Sequence, residues 1–274
     1  MIQRTFGTPD GLSLDLTIVA GKVGIHAVDT AETTLRIDGG RETDDIAIDL
    51  FPAGERGHQL VVEHHAKKSW GIFSIGVDLD IDVTVPLGTH VTCDAGAADV
   101  TVDGRIGSLR VRMGSGDVRF DEVGGDVTVK TASGDVRGRR VAGDLVVQGA
   151  SGDVAVTRVE GSLELRTASG DLRIGDADGR VHATTMSGDL QVRALAGPSA
   201  ELRSVSGDIE VGVPQGRGVY LDLSSLNGEV RSDLEAGVSP AGDPDAGPDL
   251  DLIASTVSGD VRVRRASPVG IDRP

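Results

Sequence analysis

The sequence predicts an all-β protein that winds as a single-stranded β-solenoid, with about 18 residues per coil in two nine-residue arms. The first observation is a tripeptide, Ser-Gly-Asp, that recurs at intervals of 18 residues. The second is a series of glycines spaced nine residues apart from Gly107 to Gly197. The third is an alternation of apolar and polar side chains after each turn, which is typical of strands with one buried face. Copies at this spacing begin at Ser115, Ser133, Ser151, Ser169 and Ser187; a further copy follows after 19 residues at Ser206, and another comes much later at Ser258.

Strands of successive coils are expected to stack in register, because the turns recur at equivalent positions. We call the strand after each Ser-Gly-Asp turn the Asp arm, and the strand after the intervening glycine turn the Gly arm. Equivalent residues of neighbouring coils should lie ~4.8 Å apart and form inward aliphatic columns. A right-handed coil is predicted, since parallel crossovers usually have that hand. The predicted columns are Val118, Val136, Val154, Leu172, Leu190 and Ile209 on the Asp arm, and Leu109, Val127, Leu145, Leu163 and Val181 on the Gly arm.

Residues 1–96 are predicted to form irregular β-rich coils at the N-terminal end of the solenoid. They contain alternating segments bounded by turn residues, but they lack the 18-residue period. The predicted strands are Leu12–Val19, Val23–Val28, Thr33–Ile37, Ile46–Leu50, Gln59–Glu63, Val77–Val85 and His90–Cys93.

The rest of the chain divides by composition. Residues 97–235 contain the repeat, which is regular at first and then degenerate. Asn227-Gly228-Glu229 is a degenerate copy of the tripeptide. Residues 236–250 are rich in Pro and Gly and are predicted to be a mobile loop. Residues 251–265 are predicted to return as a closing strand, and residues 266–274 to be a disordered tail.

Composition and charge exclude several functional classes. The chain has 274 residues, a formal charge of −16 and one cysteine. An acidic excess argues against nucleic-acid binding, and a single cysteine excludes an intramolecular disulfide framework. The sequence contains no apolar run of the ~18 residues that a transmembrane helix needs. Its first residues do not resemble a signal peptide, so a cytoplasmic location is expected and surface exposure would need a route that the sequence does not show.

A column of aspartates is the least ordinary feature of the repeat. Carboxylates stacked ~4.8 Å apart repel one another, so a compensating interaction is required. The first interpretation is that each carboxylate accepts backbone N–H groups of its own turn. The second is a cation site along the edge, although the spacing differs from the calcium-binding nonapeptide. The column comprises Asp99, Asp117, Asp135, Asp153, Asp171, Asp189 and Asp208.

The turn glycines are expected to supply positive φ angles at the corners of the coil. A side chain at such a position would strain the backbone, so substitution of Gly152 by valine is predicted to be damaging. The glycines in question are Gly116, Gly134, Gly152, Gly170, Gly188 and Gly207.

Residues with catalytic or metal-binding potential have simpler structural interpretations. The acid pairs Asp121-Glu122 and Asp176/Asp178 lie at turns, where solvated acids are common, and the repeat offers few aromatic platforms for a sugar. Adjacent His64 and His65 point to opposite faces of a strand and are expected to be a solvated strand end. Cys93 alternates with Val91 and is expected to be a small buried apolar residue. No catalytic residue, metal site or cofactor is predicted.

One basic and aromatic segment contrasts with the acidic chain. It contains Lys67, Lys68, Trp70 and Phe73, the first two being half of the four lysines. The favoured interpretation is that its aromatic residues cap the open end of the solenoid core. The alternative is an exposed loop that docks a partner or an anionic lipid surface.

The order of these features resembles the bacterial putative-adhesin family, a domain-of-unknown-function family of Gly-Asp β-strand repeats related to head-GIN-type domains. The likeness rests on the strand-rich start, the Ser-Gly-Asp repeats, the stretch from Tyr220 to Val230, the Pro-rich loop and the final Ser258-Gly259-Asp260 strand. The resemblance implies a β-solenoid without an established catalytic site, and its adhesin label implies surface exposure.

These observations lead to one functional hypothesis and three rivals. The hypothesis is a non-enzymatic scaffold or binding module of adhesin-like type, with a protein or glycan as its partner. The rivals are a self-assembling structural protein that forms homo-oligomers through its ends or edges, a cation-dependent surface adhesin, and a carbohydrate-active enzyme.

Overall fold

The protein is an all-β solenoid in the computed structural model, which describes residues 1–39, 46–54, 57–64, 79–234 and 249–266. Every regular element of the described residues is a β-strand. Two compact units divide the chain: unit 1 comprises residues 1–143 and 148–150, and unit 2 comprises residues 144–147 and 151–274. The predicted fold class is confirmed, and each unit is described below by itself.

Unit 1 begins with long and irregular strands and continues into regular coils. Strands β2 and β7 each run through two arms of a coil without a break, where the sequence predicts shorter segments. β7 pairs in parallel with β8 and β9, which pair in parallel with β10 and β11. The strands are β1 (Ile2–Gly7), β2 (Leu12–Val28), β3 (Glu32–Asp38), β4 (Ile46–Pro52), β5 (His58–His64), β6 (Leu79–Pro86), β7 (His90–Ile106), β8 (Ser108–Ser115), β9 (Val118–Val123), β10 (Val127–Ser133) and β11 (Val136–Val141).

Antiparallel strands interrupt the parallel stacking at the N-terminal end of unit 1. β2 pairs in parallel with β5 and β6, but β4 is antiparallel to β5, and β3 is antiparallel to both β6 and β1. Strand β1 is absent from the sequence-based prediction. Its residues alternate weakly, and most of its side chains are exposed.

Unit 2 consists of regular coils, each with one Asp-arm strand and one Gly-arm strand. The 18-residue repeat places Leu172 beside Val154, and Leu163 beside Val181, in parallel register. β12 (Leu145–Ser151) contributes residues to both units. The other strands are β13 (Val154–Val159), β14 (Leu163–Ser169), β15 (Leu172–Ala177), β16 (Val181–Ser187), β17 (Leu190–Leu195), β18 (Ser199–Ser206), β19 (Ile209–Val213), β20 (Val219–Asn227), β21 (Val230–Ser232), β22 (Leu250–Ser258) and β23 (Val261–Arg265).

The last coil in the sequence is not the last coil in space. β22 pairs with β18 on one side and with β20 on the other, and β23 lies in the same way between β19 and β21. Residues 251–265 therefore form most of a two-armed coil inside the stack, which corrects the prediction of a single closing strand. The coil β20–β21 is the last coil of the stack among the described residues of unit 2.

Aliphatic columns form the core of both units. Each residue of the two predicted columns is buried, with an exposed fraction of 5% or less. Burying one such side chain contributes roughly 1.5–3 kcal/mol, so these columns are a main source of stability. Near the Ser-Gly-Asp turn the inward position is polar instead, and Thr131, Thr167 and Thr185 donate their hydroxyl groups to backbone carbonyls two residues ahead.

Candidate functional site

The aspartate column forms a ladder of hydrogen bonds from coil to coil. In unit 1 the Oδ1 atom of Asp99 accepts the backbone N–H of Asp117 at 3.0 Å, and Asp117 accepts that of Asp135 at 3.0 Å. In unit 2 the same bond joins Asp153 to Asp171 at 2.9 Å. The acceptors reach into the next coil and not within their own turn, because in-register stacking brings the following N–H within reach. The continuing acceptors in unit 2 are Asp171, Asp189, Asp208 and Asp260.

Arginines occupy the second oxygen of several of these carboxylates. Arg137 approaches Asp135 at 2.7 Å, and Arg173 approaches Asp171 at 2.6 Å. The arginine lies two residues after its aspartate and therefore on the same outward face of the strand. Backbone donors and guanidinium groups thus offset the repulsion between neighbouring carboxylates. No cluster of three or more metal-ligating side chains occurs in the described ranges, and cation binding by this column stays a prediction.

Asp260 provides a test of this ladder by pH. The N–H of Glu229 and the charges of Arg262 and Arg231 hold the pKa of Asp260 below its ordinary value of 3.8. A lowered pKa stabilises the fold above the ordinary value, and this contribution is lost as the pH falls through the folded-state pKa. We therefore expect Asp260→Asn to lower the unfolding midpoint at neutral pH, and this difference to disappear as the pH falls below 3.8 and through the folded-state pKa. Denaturant titrations at several pH values measure this, and Asp49→Asn at an exposed position of β4 is the control. A difference that persists at low pH would contradict this account.

Glycine is required for different reasons in the two kinds of turn. The glycines of the Ser-Gly-Asp turns have φ angles from 118° at Gly116 to 147° at Gly207, which confirms the predicted backbone conformation. The glycines of the other turn, such as Gly179, are not in this left-handed region. A Cβ atom at Gly179 would instead overlap the backbone of Gly161 in the preceding coil. Close stacking of two turns explains the second set.

The predicted acid pairs are engaged by arginines. Asp176 contacts Arg193 and Asp178 contacts Arg158, each at 2.6 Å. In unit 1, Glu122 contacts Arg139 at 2.9 Å. Each of these arginines contacts a carboxylate oxygen that a catalytic pair would have to direct at a glycosidic bond.

Two histidine predictions have different outcomes. His64 is only 6% exposed and its Nδ1 atom has no hydrogen-bond partner in the described part of the chain, so the expectation of a solvated strand end is wrong for this residue. Its position continues the inward alternation of Leu60 and Val62 on β5. His65 lies outside the described residues, as do Lys67, Lys68, Trp70 and Phe73 of the proposed cap or docking loop.

Cys93 is a core residue, as the sequence predicts. It is fully buried between Leu16 and Val111, and burial together with the nearby charge of Asp94 raises the pKa of its thiol to about 12. Only ~1 in 10⁴ of such thiols would be ionised at pH ~8, and the thiolate is the reactive form.

We expect Cys93 to react with a disulfide reagent at least ~10³-fold more slowly in the folded protein than in denaturant. The measurement is the rate of thiol release at pH ~8 with and without guanidinium chloride. A Thr157→Cys variant, which places a thiol on the exposed surface of unit 2, is the positive control. Comparable rates for Cys93 in the two conditions would contradict its assignment to the core.

A shallow groove on the Gly arm of unit 2 brings several functional groups together. Its floor is a row across adjacent coils, in which Glu164, His182, Glu201 and Ile253 are neighbours in register. His182 Nδ1 lies 3.1 Å from Glu201 Oε2, and the groove has a volume of about 500 Å³. Sequence reasoning missed it, although the repeat spacing of these outward residues could have placed them in one row.

Several solved structures are similar to this chain over most of its length. Similar solved structures include a putative cell adhesion protein from Clostridium sporogenes ATCC 15579 (11% identity, 96% of this chain and 99% of that chain, TM-score 0.38). A putative adhesin from Bacteroides fragilis NCTC 9343 has 13% identity, covers 96% of both chains and gives a TM-score of 0.44. A putative lipid binding protein from Parabacteroides distasonis ATCC 8503 has 14% identity, covers 97% of this chain and 96% of that chain, and gives a TM-score of 0.48.

The family is established by the sequence. No curated protein matches the chain significantly. Among the described residues there is also no helix with the length and apolar character that crossing a membrane requires. The family model described as Toastrack DUF4097 matches residues 13–264, which confirms the resemblance to the putative-adhesin repeat domains. The chain therefore belongs to the Toastrack DUF4097 family.

Proposed function

We propose that the chain is a non-enzymatic scaffold or binding module of the adhesin-like type, and that the Gly-arm groove of unit 2 binds its partner. The observation that carries the proposal is the row of Glu164, His182 and Glu201 along three consecutive coils. Such a row presents donors and acceptors at the ~4.8 Å repeat of the strands, which suits an extended protein segment or glycan that runs across the coils.

The electrostatics of the groove favour recognition of polar groups. His182 contacts Glu201, and Glu164 contacts Arg166 at 3.1 Å, so acidic and basic groups lie side by side. Serine hydroxyls at Ser162 and Ser199 line the same groove. A shallow surface with paired charges can exchange its internal hydrogen bonds for bonds to a ligand, but it does not desolvate a reacting bond as catalytic pockets do.

The side chains with catalytic potential support a binding role over an enzymatic one. The acid pairs contact arginines, and the Cys93 thiol is inside the core. Of the two aromatic residues that could serve a sugar site, Phe120 is buried while Tyr220 is exposed. A carbohydrate-active enzyme would require a cleft in which two carboxylates flank the scissile bond of the sugar.

A glycan array and a panel of immobilised extracellular-matrix proteins test this proposal. The wild type is compared with a groove variant, His182→Ala/Glu201→Ala, and with Thr157→Ala on the Asp arm as a matched surface control. We expect a bound glycan or protein to lose at least ~10-fold in affinity for the groove variant alone. Equal binding by all three forms would move the site elsewhere, and cleavage of an array polysaccharide would overturn the non-enzymatic assignment.

A further inference from the structure

The coil β20–β21 leaves a sheet edge at the end of unit 2. β20 pairs with β22 and β21 pairs with β23, and among the described residues neither has a second strand partner on the opposite side. β20 is nine residues long. A strand in this position presents a row of N–H and C=O groups, which is a template for pairing with another chain.

The core columns reach this edge, and no described strand covers them there. Leu252 of β22 is fully buried, whereas Leu221, its neighbour in register on β20, is only partly buried. On the Asp arm, Val261 is fully buried, and its neighbour Val230 is 44% exposed. Aliphatic side chains that continue the core columns are therefore partly exposed to solvent at this end of the stack.

The edge strand also lacks the usual protection against association. Tyr220 is 57% exposed and Leu226 is 76% exposed, the largest value among the exposed apolar side chains of the described residues. Asp222 is the single charged residue in β20, although the chain as a whole has a formal charge of −16. Natural edge strands commonly carry lysine, proline or several charges that prevent pairing, and β20 has neither residue.

We infer that this end is the interface of a symmetric dimer, in which a second copy of the chain places its own β20–β21 coil against it. A two-fold axis that passes through both arms makes β20 antiparallel to β20 of the partner, and β21 antiparallel to β21 of the partner. The same coil shape on both sides extends the stack across the interface. A separate peptide strand would cover one arm and leave the other exposed.

The sequence of β20 is complementary to itself in one register. With Leu223 opposite its own copy, Tyr220 faces Leu226 of the partner subunit. The two-fold axis produces this contact twice, so the exposed Tyr220 and Leu226 side chains of both subunits are covered. Asp222 then faces Ser224 of the partner subunit, and like charges do not meet. Moving the centre of pairing to Asp222 would set two carboxylates directly opposite each other.

The dimensions of the end predict a weak and concentration-dependent dimer. Nine residues at ~3.3 Å each span about 30 Å, and the two arms lie about 10 Å apart. The contact is thus several hundred Å² per copy, near the lower end of stable interfaces. We expect a dissociation constant of roughly micromolar order.

Sedimentation velocity over a concentration series tests the inference with the full chain. The wild type is expected to shift from the mass of one chain to that of two and to stop there. Tyr220→Lys/Leu226→Lys is expected to raise the dissociation constant at least ~30-fold, because two charges would enter the apolar contact. Met186→Lys, which changes an exposed apolar residue three coils away, is expected to dimerise as the wild type does.

A cysteine at the symmetry centre tests the register. Leu223→Cys is expected to form a disulfide-linked dimer under mild oxidation, since directly opposed residues are within disulfide range. Thr157→Cys is expected to remain monomeric under the same conditions. A constant monomer mass at all concentrations, growth beyond two copies, or a dimer unaffected by the two lysines would each overturn the inference. Circular dichroism spectra and melting curves confirm that the variants are folded.

Discussion

Replacing Gly170 by alanine is expected to lower the free energy of unfolding by roughly 3–5 kcal/mol. Two effects combine at this position. The φ angle of Gly170 is 133°, a conformation that residues with a Cβ atom rarely adopt. The added methyl group would also overlap the carbonyl oxygen of Gly152 in the neighbouring coil, and a backbone atom held in a parallel ladder cannot move aside. Denaturant unfolding followed by far-ultraviolet circular dichroism gives the change.

Two further alanine substitutions separate strain from overlap. Gly179→Ala introduces the overlap without the positive φ angle, so we expect a smaller loss of stability than for Gly170→Ala. Gly7→Ala introduces neither, because no atom lies within 4 Å of its Cβ position, and a change within ~0.5 kcal/mol is expected. Wild-type stability for Gly170→Ala would show that the turn adapts and would refute this account of the repeat.

The repeat allowed the core of the solenoid to be predicted because one local pattern fixes it. An alternation of two residues assigns each side chain to a face, and the 18-residue spacing assigns its neighbour in the next coil. Leu172 and Leu163 are examples, since both are buried and paired in the predicted register. The same reasoning missed β1, whose side chains alternate weakly. It predicted β3 and β4 as strands but not their antiparallel direction, because alternation is identical in parallel and antiparallel strands.

Residues 251–265 were predicted to close the solenoid because they come last in the sequence, but the tripeptide copies themselves indicate a different spatial order. Asp208 accepts the N–H of Asp260, and Asp260 accepts that of Glu229. Glu229 belongs to the end coil, where no described coil follows to supply another N–H. The intact Ser258-Gly259-Asp260 is thus found inside the stack, and the degenerate Asn227-Gly228-Glu229 at its end. Within this chain the tripeptide is therefore intact where another described coil follows in space, and altered in the last described coil, whatever their order in the sequence.

The candidate site could be predicted only in part, for a physical reason. The aspartates were recognised as a column, but their Oδ1 bonds to the following coil depend on the exact stacking distance, which the sequence does not contain. The groove around His182 and Glu201 depends on which outward residues are small enough to leave a depression. Inward residues are selected by packing and leave a strong pattern, whereas outward residues can vary with little effect on the fold.

A phenylalanine in the core of unit 1 supplies the second large effect that we expect. Phe120 is buried, and its register neighbour in the next coil is Gly138. A Cβ atom at Gly138 would overlap the ring of Phe120, so the ring fills the space that a side chain at Gly138 would occupy. In unit 2 the equivalent positions are occupied by Val156, Ile174 and Val192, which are β-branched residues of similar size.

Gly138→Val alone is therefore expected to destabilise the protein by about 3 kcal/mol, through overpacking against the ring. Phe120→Val alone leaves a cavity and should cost roughly 2–3 kcal/mol. In the double variant the valine at position 138 fills the cavity that Phe120→Val leaves, and the shortened side chain at position 120 removes the overlap. We therefore expect the double variant to be more stable than Gly138→Val, with a coupling energy of about 2 kcal/mol. The four free energies of unfolding form a double-mutant cycle. As a control, the changes in the free energy of unfolding for Gly138→Val and Ile174→Val should add within ~0.5 kcal/mol. If the changes for Phe120→Val and Gly138→Val were also additive, the ring would not fill the space beside Gly138.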